Sequence, residues 1–339
     1  MDALTQAVQK LIVKEDLTET EAQEAIGVVM RGQASETQLA ALLTAWRAKG
    51  FVVDELVGAA RTMRGYALRV SVRPGVLVDT CGTGGDDLGT FNISTVAAFV
   101  VAGAGIRVAK HGNRAVTSSC GSADLLTELG VTVDVEPEVV SRCINEVGIG
   151  FMFAPRFHPA MKHAAPVRKA LGFKTIFNFL GPLTNPAGVK YQLVGVSDPN
   201  LLETVAETLK RLGSRRVLVV CGEGGMDEVS LSGPTQVVEL DGGELKAYSV
   251  SPEQFGLTPA PIEKLQGGSV AVSAGMAEEI LQGKGGPPRD AVLLNAGAAL
   301  HVSGSASDIP TGISMAKEAL KSGRALEKLE KLKAATQSK

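Results

Sequence analysis

The feature that most restricts the fold is an alternation of short apolar runs with helical stretches in the middle of the chain. Val76 to Val78, Ile106 to Ala109, Gln192 to Val196 and Val217 to Val220 read as buried strands. Residues 94–104, 121–130, 200–212 and 273–282 read as helices between or after them. Apolar strands joined through helices belong to a mostly parallel sheet with helices on its faces. Glycine, 39 residues in all, gathers at the strand ends, where backbone must turn tightly or approach a ligand.

Residues 1 to about 70 have a different character and read as entirely helical. Thr18-Glu19-Thr20-Glu21 and Ser35-Glu36-Thr37-Gln38 each fit a capping box, in which a hydroxyl and the residue three later satisfy free amides at a helix start. Leu39, Leu42, Leu43 and Trp46 follow at helical spacing and form one apolar face, which core packing alone explains. About four short helices are expected. Val72-Arg73-Pro74-Gly75 then reads as a linker between a helical domain, 1–71, and a larger α/β domain, 72–339.

Bulk properties narrow the function. Lys and Arg total 34 against 36 Asp and Glu, a net charge of −2, so no overall basic field draws in nucleic acid. The lysine-rich stretch from Lys317 to Lys339 is interleaved with Glu318, Glu327 and Glu330 and reads as a solvated helix. Cys81, Cys120, Cys143 and Cys221 form no CxxC pair, which argues against a disulfide framework or zinc site and suits a reducing cytoplasm. Charged residues among the first fifteen leave no room for an apolar signal core, and no uncharged apolar stretch is long enough for a membrane span.

Two polar turns carry the chemistry. Asp79-Thr80-Cys81-Gly82-Thr83-Gly84-Gly85-Asp86 follows the first strand, and Phe91-Asn92-Ile93-Ser94-Thr95 opens the next helix. Glycines let main-chain N–H groups face an anion, and the helix start adds its positive end. The spacing is neither a Walker A motif nor GxGxxG, so a tight, capped strand-to-helix turn remains the alternative. The second strand runs into Lys110-His111-Gly112-Asn113-Arg114, followed by Thr117, Ser118 and Ser119. Lys110 suits a phosphate as a point charge, and Arg114 can grip one through two parallel hydrogen bonds. Neighbouring parallel strands bring both turns to one sheet edge, which suggests a ligand with two separated phosphate groups.

Two further segments stand out. Residues 151–186 hold six of the ten phenylalanines (Phe151, Phe153, Phe157, Phe173, Phe177, Phe179) together with His158, Lys162, His163, Arg168 and Lys174. The rings either clamp a flat ligand or belong to the core. Glu223, Asp227 and Glu228 follow the fourth strand, where they either hold magnesium with substrate phosphates or are simply solvated.

In combination these segments resemble the anthranilate phosphoribosyltransferases. The match runs in order through Gly82–Asp86, Thr90–Thr95, Lys110–Arg114, His158–Lys162, Pro166–Arg168, Thr175–Asn178, Leu180–Pro186 and Gly225–Glu228, and covers nearly the whole chain. Lys174 departs from it, since the family more often has Arg just before Thr-Ile-Phe-Asn. The resemblance implies a small N-terminal helical domain hinged to a larger α/β domain with a mostly parallel sheet, the segments near 166–186 packing with the helical domain. It implies a homodimer paired through the helical domains, with no nucleic-acid or membrane partner.

The resemblance also implies transfer of a phosphoribosyl group from phosphoribosyl pyrophosphate to the amine of anthranilate, with Mg2+. The donor is then expected on Gly82, Gly85, Asp86, Thr90, Asn92, Ile93, Ser94 and Thr95 of the first turn. In the second it is expected on Lys110, His111, Gly112, Asn113, Arg114, Ala115, Val116, Thr117, Ser118 and Ser122. Anthranilate is expected on Gly82, Asn113 and Arg168, and the metal on Ser94, Asp227 and Glu228. No residue is assigned as general base, because an aromatic amine is already neutral near pH 7. A pyrimidine nucleoside phosphorylase, which has Ser-Gly-Arg where this chain has His111-Gly112-Asn113-Arg114, and a non-catalytic nucleic-acid-binding relative are the rival readings.

Overall fold

The computed structural model describes residues 2–115 and 119–337. Its N-terminal part is four helices, α1 (Ala3–Ile12), α2 (Glu19–Met30), α3 (Glu36–Lys49) and α4 (Val53–Tyr66). Both expected capping boxes form, with Thr18 accepting from the Glu21 N–H and Ser35 from the Gln38 N–H. Each such cap contributes about 1 kcal/mol. Leu39, Leu42, Leu43 and Trp46 of α3 are buried, as their spacing requires. Glu55 of α4 is buried too, and accepts the Leu17 N–H at 2.9 Å while pairing with Lys49 at 3.1 Å.

The α/β part is built on a seven-stranded sheet of order β3-β2-β1-β4-β5-β6-β7. Its strands are β1 (Leu77–Gly82), β2 (Arg107–Gly112), β3 (Ile149–Phe153), β4 (Tyr191–Gly195), β5 (Arg216–Gly222), β6 (Thr235–Asp241) and β7 (Glu244–Val250). The first five run parallel, and β6 and β7 close the edge antiparallel. The four strands read from the sequence are β1, β2, β4 and β5; β1 and β2 continue past their apolar residues through Asp79–Gly82 and Lys110–Gly112. That extension matters, because it fixes Thr80 and Lys110 on rigid sheet rather than in turns.

The sheet is buried on both faces. Along β5, Val217, Val219 and Cys221 join one apolar cluster, and Leu218 and Val220 join the other. The first cluster also takes in the N-terminal helices and the helices Ala165–Leu171 and Ile176–Leu183, so these segments share one core with the helical bundle. The second holds α5 (Ile93–Gly103) and the helix Pro287–Val302. A buried aliphatic side chain contributes about 1.5–3 kcal/mol, so this two-sided burial is the main force fixing the strand ends. The aromatic window mostly serves it: Phe151 and Phe153 lie on β3, Phe157, Phe177 and Phe179 are buried among the clusters, and only Phe173 is exposed. Of the two readings of the aromatic window, core packing is the one its burial supports.

Candidate active site

The carboxyl ends of the parallel strands form one edge, and the order reverses between β1 and β4, the place where open α/β sheets bind ligands. The β1 turn lies there. β1, β2, β4 and β5 all end in glycine, Gly82, Gly112, Gly195 and Gly222. A Cβ at Gly82 would collide with the Asp227 carboxylate, and one at Gly195 with the Asp227 backbone. Bare strand ends thus let the loop after β5 fold back over the β1 turn. Asp227 Oδ2 accepts the Gly84 N–H at 2.8 Å, while Gly84 and Gly85 have φ of 73° and 69°, a conformation that favours glycine.

Around this contact the chemistry converges. Lys110, buried on β2, donates from Nζ to the Thr80 carbonyl and to Ser94 Oγ at 3.3 Å. An ammonium has three donors, so one remains for a ligand. The Ser94 N–H, at the start of α5, donates to Glu228 Oε1 at 3.0 Å. Burial and the Asp86 charge push Asp227 up to about 6; burial and the Asp227 charge push Glu228 up to about 8. One Asp86 carboxylate oxygen is buried without a partner. Crowded, desolvated carboxylates of this kind are relieved by a cation. No group of three or more His, Cys, Asp or Glu side chains is arranged to hold a metal ion among the described residues. One or two carboxylates fit magnesium, which completes its shell with water and phosphate oxygens.

On the acceptor side, Arg168 projects from the helix Ala165–Leu171 and lies 5.5 Å from the Phe177 ring centroid. Its Nη2 donates to Asn178 Oδ1 at 3.4 Å. No carboxylate is within ion-pair distance of it among the described residues, and burial alone pulls its pKa below the ordinary value. A shielded cation with no counter-ion is a ready seat for a carboxylate.

Residues 74–326 match the family model described as "Glycosyl transferase family, a/b domain", and residues 5–67 match its helical bundle domain. The chain is 51% identical over 331 residues to an anthranilate phosphoribosyltransferase of Moorella thermoacetica, covering 98% of each protein. It is 52% identical over 329 residues to that of Rubrobacter xylanophilus, covering 97% of this chain and 96% of the relative. It belongs to the anthranilate phosphoribosyltransferase family. The crystal structure of the Thermus thermophilus anthranilate phosphoribosyltransferase superposes with a TM-score of 0.93 at 46% identity, covering 98% of this chain and 99% of that one. The Saccharomyces cerevisiae anthranilate phosphoribosyltransferase in complex with phosphoribosyl pyrophosphate and Mg superposes at 0.90 with 30% identity, covering 99% and 98%.

For an anthranilate phosphoribosyltransferase, the expected site residues are placed unevenly. Gly82, Gly85, Asp86, Ser94, Lys110, Asp227 and Glu228 gather at the strand edge. Ile93 and Thr95 are buried in α5, their N–H groups donating to the Phe91 and Asn92 carbonyls, and Thr90 is held in a β-bridge to Gln266. Asn92 does not cap α5 with its side chain; its Nδ2 donates to the Cys120 carbonyl at 3.0 Å. Arg114 is ion-paired to Asp124 at 2.8 Å and lies over the Phe153 ring, so a phosphate must compete for it. The same Asp124 carboxylate accepts the Ala115 N–H, Ser122 Oγ donates to the Asn113 carbonyl, and the Asn113 side chain, at the surface, accepts the Arg114 N–H at 2.8 Å. Val116, Thr117 and Ser118 lie outside the described residues.

Two organising residues, Asp79 and Asn185, carry no role expected from the sequence, and His111, expected on the donor, is held with them. Asp79, buried in β1, accepts the His111 N–H at 3.3 Å and Asn185 Nδ2 at 2.8 Å. Asn185 also donates to the Ala109 carbonyl, tying the acceptor segment to two strands. His111 Nδ1 lies 3.0 Å from the Gly181 carbonyl, and burial lowers the pKa of this ring. The polar character of Asp79 amid an apolar strand is the one signal that pointed there.

Proposed function

We propose that the chain transfers the phosphoribosyl group of phosphoribosyl pyrophosphate to the amine of anthranilate, releasing pyrophosphate. The observation that carries this reading is the pairing of an anion-seeking strand edge with Arg168, a shielded cation lacking a counter-ion. The donor rests on the Gly82–Asp86 turn and Lys110, and the aromatic acid on Arg168. The bond from the anomeric carbon to pyrophosphate lengthens first, and the neutral amine attacks the resulting oxocarbenium-like ribose. Pyrophosphate leaves with the electron pair, and the amine proton passes to water. The free donor of Lys110 and the turn amides stabilise the charge that grows on the leaving group. Fixed strands hold the donor and a helix packed on the same core presents Arg168 to the acceptor, which lowers the entropy cost of meeting.

Asp227 and Glu228, with Ser94 beside them, would hold magnesium, which supplies charge stabilisation on the diphosphate when bound. The S. cerevisiae relative is described with Mg and phosphoribosyl pyrophosphate bound, which supports this assignment. A homodimer formed through the helical domain belongs to the same reading, and Ile12 and Val13, 67% and 64% exposed at the end of α1, are apolar residues such a contact would cover. The four free cysteines suit the reducing cytoplasm. Incubation with anthranilate, phosphoribosyl pyrophosphate and magnesium should extinguish anthranilate fluorescence with release of one pyrophosphate per acceptor; persistence of the fluorescence would overturn the reading.

A further inference from the structure

Lys174 is a cation that reaches from the acceptor segment to the glycine-rich turn. It sits in the connection between the helices Ala165–Leu171 and Ile176–Leu183. Its Nζ donates to the Gly85 carbonyl and to Ser197 Oγ, the latter at 3.2 Å. No carboxylate lies within ion-pair distance of it among the described residues, so the ammonium is held by dipoles alone. The turn is therefore gripped twice: Asp227 takes the Gly84 N–H, and Lys174 takes the Gly85 carbonyl.

The second grip acts on the donor site. Because the peptide is planar and trans, the Gly85 carbonyl and the Asp86 N–H point in opposite directions, and fixing one fixes the other. Gly84 and Gly85 are both left-handed, and glycine readily adopts either sign of φ. An unanchored turn would thus rotate this peptide at little cost, and Lys174 selects one orientation of the Asp86 N–H, an amide of the turn assigned above to the donor.

The same residue is wired to the acceptor cation. Asn178 Oδ1 accepts the Thr175 N–H at 3.0 Å and Arg168 Nη2 at 3.4 Å, and Thr175 is the next residue after Lys174. A short run of bonded groups, Arg168, Asn178, Thr175, Lys174 and Gly85, therefore spans the cleft. A carboxylate seated on Arg168 leaves Asn178 Oδ1 to the Thr175 N–H alone, which steadies the segment that holds Lys174 on the Gly85 carbonyl, and a diphosphate bound by the Asp86 amide fixes the same peptide from its other side. Both ligands act on one small element.

We propose that Lys174 is a positioning residue that couples the two substrate sites, so that filling the acceptor site tightens the donor site and the reverse. The proposal rests on the substrates assigned above. It is tested by calorimetry of phosphoribosyl pyrophosphate with magnesium, with and without 2-methylbenzoate, which keeps the ring and carboxylate but has no amine to react. The wild type should bind the donor about fivefold or more tightly when the analogue is present. Lys174→Met, which keeps the aliphatic stem, should bring that ratio to about one without changing analogue affinity measured alone, and Lys174→Arg should restore it. Lys174→Ala, with a melting curve beside it, guards against a packing effect peculiar to Met. An undiminished ratio in Lys174→Met, or a wild type that binds both ligands independently, would overturn the coupling while leaving the substrate assignment intact. A wild type that binds neither ligand would remove both.

Discussion

The Asp227 carboxylate occupies the volume that a Cβ on Gly82 would need, and from there its Oδ2 accepts the Gly84 N–H at 2.8 Å. The two glycines serve it differently: Gly82 by having no side chain, Gly84 by its left-handed φ. Gly82→Ala should push the β5 loop away from the strand edge at a cost of about 1–3 kcal/mol. The same shift should raise the magnesium concentration needed for activity severalfold. Gly84→Ala meets no atom within 4 Å but pays backbone strain, so it should cost about 1 kcal/mol and disturb the metal requirement less. Equal magnesium titrations for wild type and Gly82→Ala would show that the contact does not position Asp227.

The raised pKa values of Asp227 and Glu228 set a pH dependence with a definite sign. In the folded, metal-free protein these groups hold their protons to about 6 and about 8, while in the unfolded chain they lose them near the ordinary carboxylate values. Their contribution to stability is therefore complete at acid pH and is lost as pH rises through 6 and then 8. Magnesium needs the deprotonated forms, so its affinity should climb over the same window. Glu228→Gln should flatten the decline in the metal-free melting temperature between about pH 5 and 8 and also weaken the pH dependence of magnesium binding. Parallel curves for wild type and variant between about pH 5 and 9 would exclude Glu228 as the titrating group.

How far the sequence carried the fold depends on what each residue had to announce. β1, β2, β4 and β5 are legible because an apolar run ends at a glycine and a polar turn. β3 hides in the aromatic window, since Phe151 and Phe153 look alike whether they line a pocket or a strand. The β6–β7 hairpin escapes as well, although Asp241-Gly242-Gly243-Glu244, with positive φ at both glycines, is a hairpin turn signal that could have found it. Lys110, Asp227 and Glu228 are legible as charged residues at strand ends. The bond between Asp79 and Asn185 is not, because it joins residues 106 positions apart and no local pattern specifies the partner. The ion pair of Arg114 with Asp124 is likewise a product of packing, invisible to a reading that weighed Arg114 alone.

His111 and His158 give an acid-side prediction. Their rings lie 5.0 Å apart, and both ring nitrogens of His158 and Nε2 of His111 are buried without partners. Burial, reinforced by the neighbouring His111, holds the His158 pKa down to about 3. The unfolded chain takes up the proton near 6.5, so stability is present above that value and is lost as pH falls toward 3. Between pH 8 and pH 5 the loss from His158 should be about 2 kcal/mol by linkage. His158→Phe removes both the titration and the unpaired nitrogens, and denaturant midpoints at those two pH values should then differ less than in wild type. An identical difference would assign the acid lability elsewhere.

Arg168 offers the sharpest separation of the two substrates. Its guanidinium is shielded, rests over Phe177, and has only the Asn178 amide oxygen as a hydrogen-bond partner among the described residues, at 3.4 Å. That bond is too long to compensate a desolvated charge, so an incoming carboxylate gains a charge-assisted partner without first breaking an ion pair. Arg168→Ala should lose that interaction, worth roughly 1.5–3 kcal/mol, and raise the anthranilate KM about tenfold to a hundredfold. Donor affinity measured in the absence of acceptor should change little, because Lys110 and the glycine turn are held by bonds to Thr80, Ser94 and Asp227 that Arg168 does not touch. Arg168→Lys keeps the charge but not the planar fork, so it should fall between wild type and Arg168→Ala. Steady-state titration of each substrate against all three proteins distinguishes the roles. An anthranilate KM left unchanged in Arg168→Ala, or a donor affinity without acceptor that falls as much as the acceptor's, would move the carboxylate to another residue.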